Sequence, residues 1–330
     1  AAEPTGALDS RTGMEILAFM RNAVDESGQT IVMVTPDPHA ASYANNVLFL
    51  GEAPTLVDSG YVTHAPQTLA LVRHALDGRP LSRLLNTHLH SDHCGGNAAL
   101  QAAYACHTSI PAAESDKVAA WDEEALTFRA TGQQCARFSY DALLAPGQQL
   151  ELGGMAWDVL AAPGHDPHAL LLFCAQEGIL ISGDALWENG FGVIFPELDG
   201  ESGFLEARAT LDLITTLDAR VVIPGHGRMF GEVPAALQRA YSRLDYLSAD
   251  PRRNAENAIK VLVKFLLLER QRIAIAALPG LLAGIPVVGS AMRFIPDAGA
   301  EPYTTLADWA MNALLRAGAA RIDGDFLVDA

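Results

Sequence analysis

Thr87-His88-Leu89-His90-Ser91-Asp92-His93 is the stretch whose reading decides the fold. It sets three imidazoles and a carboxylate directly after the apolar run Leu81-Ser82-Arg83-Leu84-Leu85-Asn86. A run that short and apolar reads as a buried strand. Gly95 and Gly96 follow and let the backbone turn tightly. Imidazole and carboxylate are, besides thiolate, the side chains that bind first-row metals. A lone histidine would read as a surface residue; a strand ending in four such groups has the form of a metal site.

Three further apolar runs end the same way. Met155 to Ala161 leads into Pro163-Gly164-His165-Asp166-Pro167-His168, Gly178 to Ser182 closes on Gly183-Asp184, and Arg220 to Ile223 closes on Pro224-Gly225-His226-Gly227. Strand ends are rigid, and the loops beyond them are free to shape a pocket. The four ends together bring His88, His90, Asp92, His93, His165, Asp184 and His226. One tetrahedral zinc takes fewer ligands than these; two ions sharing a bridge suit them.

Working outward, residues 30–34, 46–50 and 54–58 read as strands, the last two as a hairpin. Spacing predicts helices over 11–26, 65–77, 98–105, 111–130 (anchored by Trp121 and Phe128) and 203–217. Residues 170–174 pair with 178–182 as strands. Beyond about residue 245 the pattern turns helical, over 254–270, in broken pieces from 273 to 295, and over 304–317. Asp323-Gly324 between β-formers then predicts a terminal hairpin. The expected division is a catalytic domain over 1–244 and a helical, winged-helix-like domain over 245–330.

Composition narrows the function. The chain has 330 residues, half of them hydrophobic, ample for a large core. Its net charge is −17, from 22 basic and 39 acidic residues, which disfavours nucleic acid as a partner. Cys94, Cys106, Cys135 and Cys174 form no CxxC pair and read as free thiols in a reducing, cytoplasmic setting. Residues 1–10 lack the basic and apolar regions of a signal peptide. Residues 273–292 carry no charge and reach the length of a membrane span. Two prolines and three glycines within them favour broken, buried helices, with no membrane partner expected. A greasy cap over the metal edge is the alternative use of this run; plain burial or a homodimer interface is preferred.

In this combination the sequence resembles the metallo-β-lactamase superfamily. THLHSDH matches the family's HxHxDH signature, and Pro163-Gly164-His165, Gly183-Asp184 and Pro224-Gly225-His226 match its later metal motifs in order. Asp58 matches a structural aspartate. The resemblance covers about residues 30–230 and implies an α+β fold, an αβ/βα four-layer sandwich, here with a mostly helical C-terminal extension. It implies two divalent metal ions, zinc foremost, with iron or manganese also fitting the donors. His88, His90 and His165 would hold the first, Asp92, His93 and His226 the second, and Asp184 would bridge them. Asp92 and Asp184 are the expected catalytic residues, with a bridging hydroxide as nucleophile and Asp92 passing its proton to the leaving group.

Details within the family point to a small ester, thioester or lactone as substrate. A bridging Asp184 places the chain on the hydroxyacylglutathione hydrolase (glyoxalase II), lactonase and RNase Z side. Ser182-Gly183-Asp184-Ala185-Leu186-Trp187 resembles the GDTLF segment of the thioesterase-like members. Acyl-homoserine lactonases carry a tyrosine where this chain has Trp187, which weakens the lactonase reading and leaves Trp187 as pocket wall or core. Many relatives read GHTxGH, whereas here His168 is shifted by one residue. His168 is a candidate partner of the ligands or of the pocket. Arg252, Arg253, Lys260 and Lys264 could receive an anionic substrate, although a solvated helix face is the preferred reading. His39, His64, His74 and His107 read as structural. The competing functions are an RNase Z-like or lactamase-like endoribonuclease, an iron-dependent persulfide dioxygenase-like oxidoreductase, and a binding protein on a retained hydrolase fold.

Overall fold

A computed structural model describes the chain over residues 31–34, 44–295 and 301–330; the expected helix at 11–26 and His39 lie outside the described residues. The N-terminal half builds one sheet from alternating side chains. Its elements are β1 (Ile31–Val34), β2 (Asn46–Phe49), β3 (Thr55–Val57), α1 (Ala65–Leu76), β4 (Arg83–Leu85), α2 (Ser91–Cys94), α3 (Asn97–Tyr104), β5 (His107–Pro111), α4 (Ser115–Ala120), α5 (Phe128–Thr131) and β6 (Ala142–Leu144). The six strands lie in sequence order. The first three are antiparallel, and β3 to β6 are parallel, joined by helical crossovers.

The second sheet holds β7 (Gln149–Leu152), β8 (Met155–Ala161), β9 (Leu170–Cys174), β10 (Ile179–Gly183) and β11 (Val221–Pro224), in the order β11-β10-β9-β8-β7. Helix α6 (Phe204–Thr216) carries the chain from β10 to the parallel β11, and α7 (Val233–Ser248) follows. Successive side chains of a strand face opposite sides, and both sheets use both sides. Val47, Phe49, Val57 and Leu85 meet Trp157, Val159, Leu172 and Ile181 between the sheets. The neighbours Leu48, Leu56 and Leu84 face out against Val72, Leu76 and Leu100. On the other side Leu171, Phe173 and Leu180 face out against Leu211, Ile214 and Leu237. Two sheets face to face with helices outside make the expected four-layer α+β sandwich. Phe49 and Trp157 lock the layers edge to face at 5.4 Å.

The C-terminal part is built on α8 (Pro251–Arg270), with β12 (Arg272–Ala274), α9 (Leu278–Ala283), α10 (Pro286–Met292), α11 (Pro302–Arg316), β13 (Ala320–Asp323) and β14 (Phe326–Asp329). Asp250 caps α8 by accepting the Arg252 N–H, and Pro251 occupies its first turn. The helix is buried on two faces. Leu262, Val263 and Leu266 join the C-terminal core, while Phe265 and Leu268 pack with Tyr61 of the N-terminal half. Strands β12, β14 and β13 close this part with a small antiparallel sheet.

Several expectations need correction. The single helix expected over 111–130 is broken into a 3-10 turn, α4 and α5, with Trp121 and Thr127 in the left-handed region. Trp121 instead packs on Phe128 and Phe138, so tertiary contact overrides local propensity. Strands β5 to β7 and helix α7 lie outside the expected elements, although Val233, Leu237, Ala240, Leu244 and Leu247 recur at helical spacing. The expected boundary at 244/245 falls inside α7, whose Ala240, Leu244 and Leu247 pack in the outer core of the second sheet. The break between helices comes at residues 249–250. In the uncharged 273–292 run, Leu278, Leu282, Ile285, Val287 and Val288 are buried in the C-terminal core. Among the described residues no single helix is long and apolar enough to cross a membrane, and the two pieces here are bent by 82°.

Candidate metal centre

The four strand ends identified in the sequence meet at one edge of the sandwich. The turn after β4 is held by a buried amide network. Asn86 Nδ2 donates to the His93 carbonyl at 3.0 Å, Asn97 Nδ2 to Asn86 Oδ1 at 2.7 Å, and Ser59 Oγ to Asn97 Oδ1 at 2.7 Å. These bonds seat α2, which carries Asp92 and His93. Across the edge, Asn45 Nδ2 donates to the carbonyls of Pro224 and Gly227 at 2.9 and 2.7 Å, tying the His226 loop to the start of β2.

The outer nitrogens of three imidazoles have fixed partners. Asp58 accepts from Thr87 N at 2.9 Å, from Thr87 Oγ1 at 2.7 Å and from His93 Nδ1 at 2.8 Å. Because the Thr87 hydroxyl donates to Asp58, it accepts from His88 Nδ1 at 3.1 Å. His165 Nδ1 donates to the Val193 carbonyl at 2.6 Å. Each bond puts the proton on Nδ1 and leaves Nε2 with a lone pair aimed inward. Asp58 does this from a left-handed backbone (φ 60°), a conformation that aspartate tolerates better than most residues.

Inside this frame the donors fall into two overlapping sets. His88, His90 and His165 bring ligand atoms within 4.8 Å of one another, and so do Asp92, His93 and His226. Asp184 stands between them, with Oδ2 3.3 Å from His165 Nε2 and 3.6 Å from His226 Nε2, and Oδ1 3.4 Å from His93 Nε2. Burial, reinforced by neighbouring imidazoles, holds His88 well below its ordinary pKa and His165 at about 4; burial also lowers His90. His90 Nδ1 and His165 Nε2 lie 2.8 Å apart. At that distance one neutral ring donates to the other, and a cation held by both nitrogens would take the place of the shared proton. His88 Nε2 is buried with no hydrogen-bond partner among the described residues, as a ligand atom would be. In the second set burial would lower His93 and His226, but the carboxylates of Asp58, Asp184 and Asp92 outweigh it and raise His93 well above its usual value; Asp184 and Asp92 raise His226. Burial would raise Asp184 and Asp92, but the facing imidazoles hold both below the usual carboxylate range. Buried imidazoles and carboxylates in this arrangement fit two divalent ions.

With this geometry in view, the comparisons with known proteins are specific. The family model of the metallo-beta-lactamase superfamily matches residues 41–226. The chain belongs to this superfamily. A metallo-beta-lactamase family protein of Thermus thermophilus shares the fold, at a TM-score of 0.53 and 20% identity over 92% of this chain and 99% of that one. A hydroxyacylglutathione hydrolase of Hyphomonas neptunium is 34% identical over 116 residues, 35% of this chain and 38% of that protein. A 69-residue stretch is 44% identical to part of the macrolide export ATP-binding/permease protein MacB of Escherichia coli, 21% of this chain and 10% of the exporter. The chain thus spans between about a tenth and less than half of the length of the curated relatives it matches, and a stretch as short as the exporter's bears on no activity.

As a superfamily member, the chain shows two departures at the site. Trp187 is half-buried, with its ring 5.1 Å from that of His226, and its Nε1 donates to Asp184 Oδ1 at 3.2 Å. His168 does not reach a ligand; its Nδ1 bonds the carboxylate of Glu114. Cys94, beside the ligands, is fully buried, and burial pushes its thiol well up, so it is a packing residue. Gly225 is required sterically, because a Cβ there would lie 2.1 Å from Asp184 Oδ1. Sequence reasoning missed Asn45, Asn86, Asn97, Thr87 and Glu114. Asn86 and Thr87 adjoin the first motif and Asn97 follows it closely, but amides and hydroxyls in such turns are commonplace, and Asn45 and Glu114 lie far from the motifs in sequence.

Proposed function

We propose that this chain is a two-metal-ion hydrolase of a small ester, thioester or lactone. The observation that carries this reading is Asp184, whose two oxygens reach imidazoles of both donor sets. Divalent ions held there would supply an activated water at neutral pH and polarise a carbonyl oxygen. The protein supplies the rest. Asp92, held ionised and 3.0 Å from His226 Nε2, can accept a proton from the attacking water and return it to the leaving group. Trp187 Nε1–H steadies Asp184, and its ring packs edge-on beside His226. Phe265 of α8 stacks on the same imidazole, with centroids 6.1 Å apart, so the C-terminal part contributes an apolar wall. Similarity to hydroxyacylglutathione hydrolases, though partial, supports the ester and thioester class. The acidic balance of the chain supports a small substrate over a nucleic acid.

The test is metal analysis of the purified protein with a panel of thioester, lactone, β-lactam and phosphodiester substrates. Two zinc ions per chain, with thioester or lactone turnover lost in His88→Ala and Asp184→Ala, is the expected result. One iron per chain without hydrolysis refutes the reading in favour of an oxidoreductase, and turnover of the phosphodiester alone refutes it in favour of a nuclease.

A further inference from the structure

Three of the ligand imidazoles have their outer nitrogen fixed by Asp58, Thr87 or the Val193 carbonyl. His90 is held differently. Its Nδ1 turns inward toward His165, so its outer nitrogen is Nε2. The group facing that nitrogen is Asp166, with Oδ2 at 3.7 Å. Asp166 is 8% exposed, and its Oδ1 accepts the backbone N–H of His168 at 2.7 Å, closing a tight turn over Pro167. His168 is held in turn by Glu114, a carboxylate 3% exposed that also pairs with Lys117 Nζ at 2.9 Å. A chain of contacts therefore runs from Lys117 through Glu114, His168 and Asp166 to His90.

We propose that Asp166 is the positioning residue for His90, and that Glu114, acting through His168, clamps the turn that presents it. A neutral imidazole carries its proton on either nitrogen. A carboxylate at Nε2 selects the form with the lone pair on Nδ1, the atom directed at the first ion site, and makes that lone pair more basic. The contact needs to close by only about 1 Å to become a hydrogen bond. The one-residue shift of His168 from the family's usual pattern acquires a physical role: at this position its ring reaches Glu114 and braces the Asp166 turn. The inference rests on the two-ion reading of the site.

The test is Asp166→Asn, which keeps an acceptor for the His168 N–H but removes the charge facing His90. Zinc affinity is measured by chelator competition, the visible spectrum of the cobalt-substituted protein reports ligand geometry, and thermal unfolding of the metal-free protein reports the fold. The expected result is one ion bound as in the wild type, the other about 10- to 100-fold more weakly with altered cobalt bands, and unchanged metal-free unfolding. Glu114→Gln and His168→Ala should shift the same ion in the same direction by less. Wild-type affinity and spectrum for both ions in Asp166→Asn overturns the proposal. A third ion in the wild type, lost in Glu114→Gln and His168→Ala, overturns it in favour of a separate cation site at Glu114, Asp166 and His168. A wild-type protein that binds no metal overturns the two-ion reading and this inference with it.

Discussion

Replacing Asp58 with asparagine should cost more than any other isosteric change near the site. Asp58 is 2% exposed and accepts three hydrogen bonds, one at Oδ1 and two at Oδ2. Asparagine fits the left-handed backbone and can keep the Oδ1 bond from Thr87 N. At the Oδ2 position it places an amide N–H₂ against two donors, the Thr87 hydroxyl and His93 Nδ1. Two charge-assisted bonds are lost, each worth about 1.5–3 kcal/mol. The relief of no longer burying a carboxylate offsets part of that. A net loss of about 3 kcal/mol follows, a large share of the roughly 5–15 kcal/mol typical of a folded domain. The second consequence is electronic. With Thr87 and His93 released, the Nε2 lone pairs of His88 and His93 are no longer fixed inward, and metal affinity should fall about 10- to 100-fold. Urea unfolding of the metal-free protein and chelator competition on the loaded protein measure the two effects. If Asp58→Asn unfolds within about 0.5 kcal/mol of the wild type and binds zinc equally well, the hydrogen-bond chain from Asp58 does not set the ligand tautomers.

Gly225→Ala would drive a Cβ to 2.1 Å from Asp184 Oδ1, so it should lower metal content while far-ultraviolet circular dichroism stays native. Trp187→Phe keeps the ring but loses the charge-assisted bond to the Asp184 carboxylate, worth about 1.5–3 kcal/mol, so kcat/KM should fall about 10- to 150-fold. Metal loading should release protons. His93 and His226 are raised by their carboxylates, so in the metal-free protein they keep a second proton to higher pH than the imidazoles of the other set, and an ion there must displace more of it. His165, at about 4, is already uncharged at neutral pH. As pH falls, the ion at Asp92, His93 and His226 should leave before that at His88, His90 and His165, because the carboxylates raise the first pair of imidazoles while burial lowers the other three. Metal content after dialysis at successively lower pH checks the order, and release of both ions at one pH would refute it.

The residues of the candidate centre were legible in the sequence because each sits at the end of a short apolar strand. A strand end is a local feature, and a histidine or aspartate just beyond it needs no tertiary contact to be recognised. The strands β8 to β11 were legible for the same reason, being apolar runs bounded by glycine or proline. The 111–130 segment was not, because its conformation is set by Trp121 packing on Phe138, a residue beyond any helical period. The supporting residues were not legible either. Asn45 lies 179 residues from the Pro224 carbonyl it binds, and Glu114 lies 54 from His168, so nothing local marks either pair.

The sequence by itself determined the family, the candidate donor residues and the four-strand origin of their cluster, since strand periodicity and ligand chemistry are written within a few residues. Only the tertiary structure decided which nitrogen of each imidazole faces inward, that Asp184 spans both donor sets, and that Asp166 rather than His168 stands behind His90. Those depend on hydrogen bonds between distant segments, whose partners are chosen by packing of the two sheets and not by the local chain.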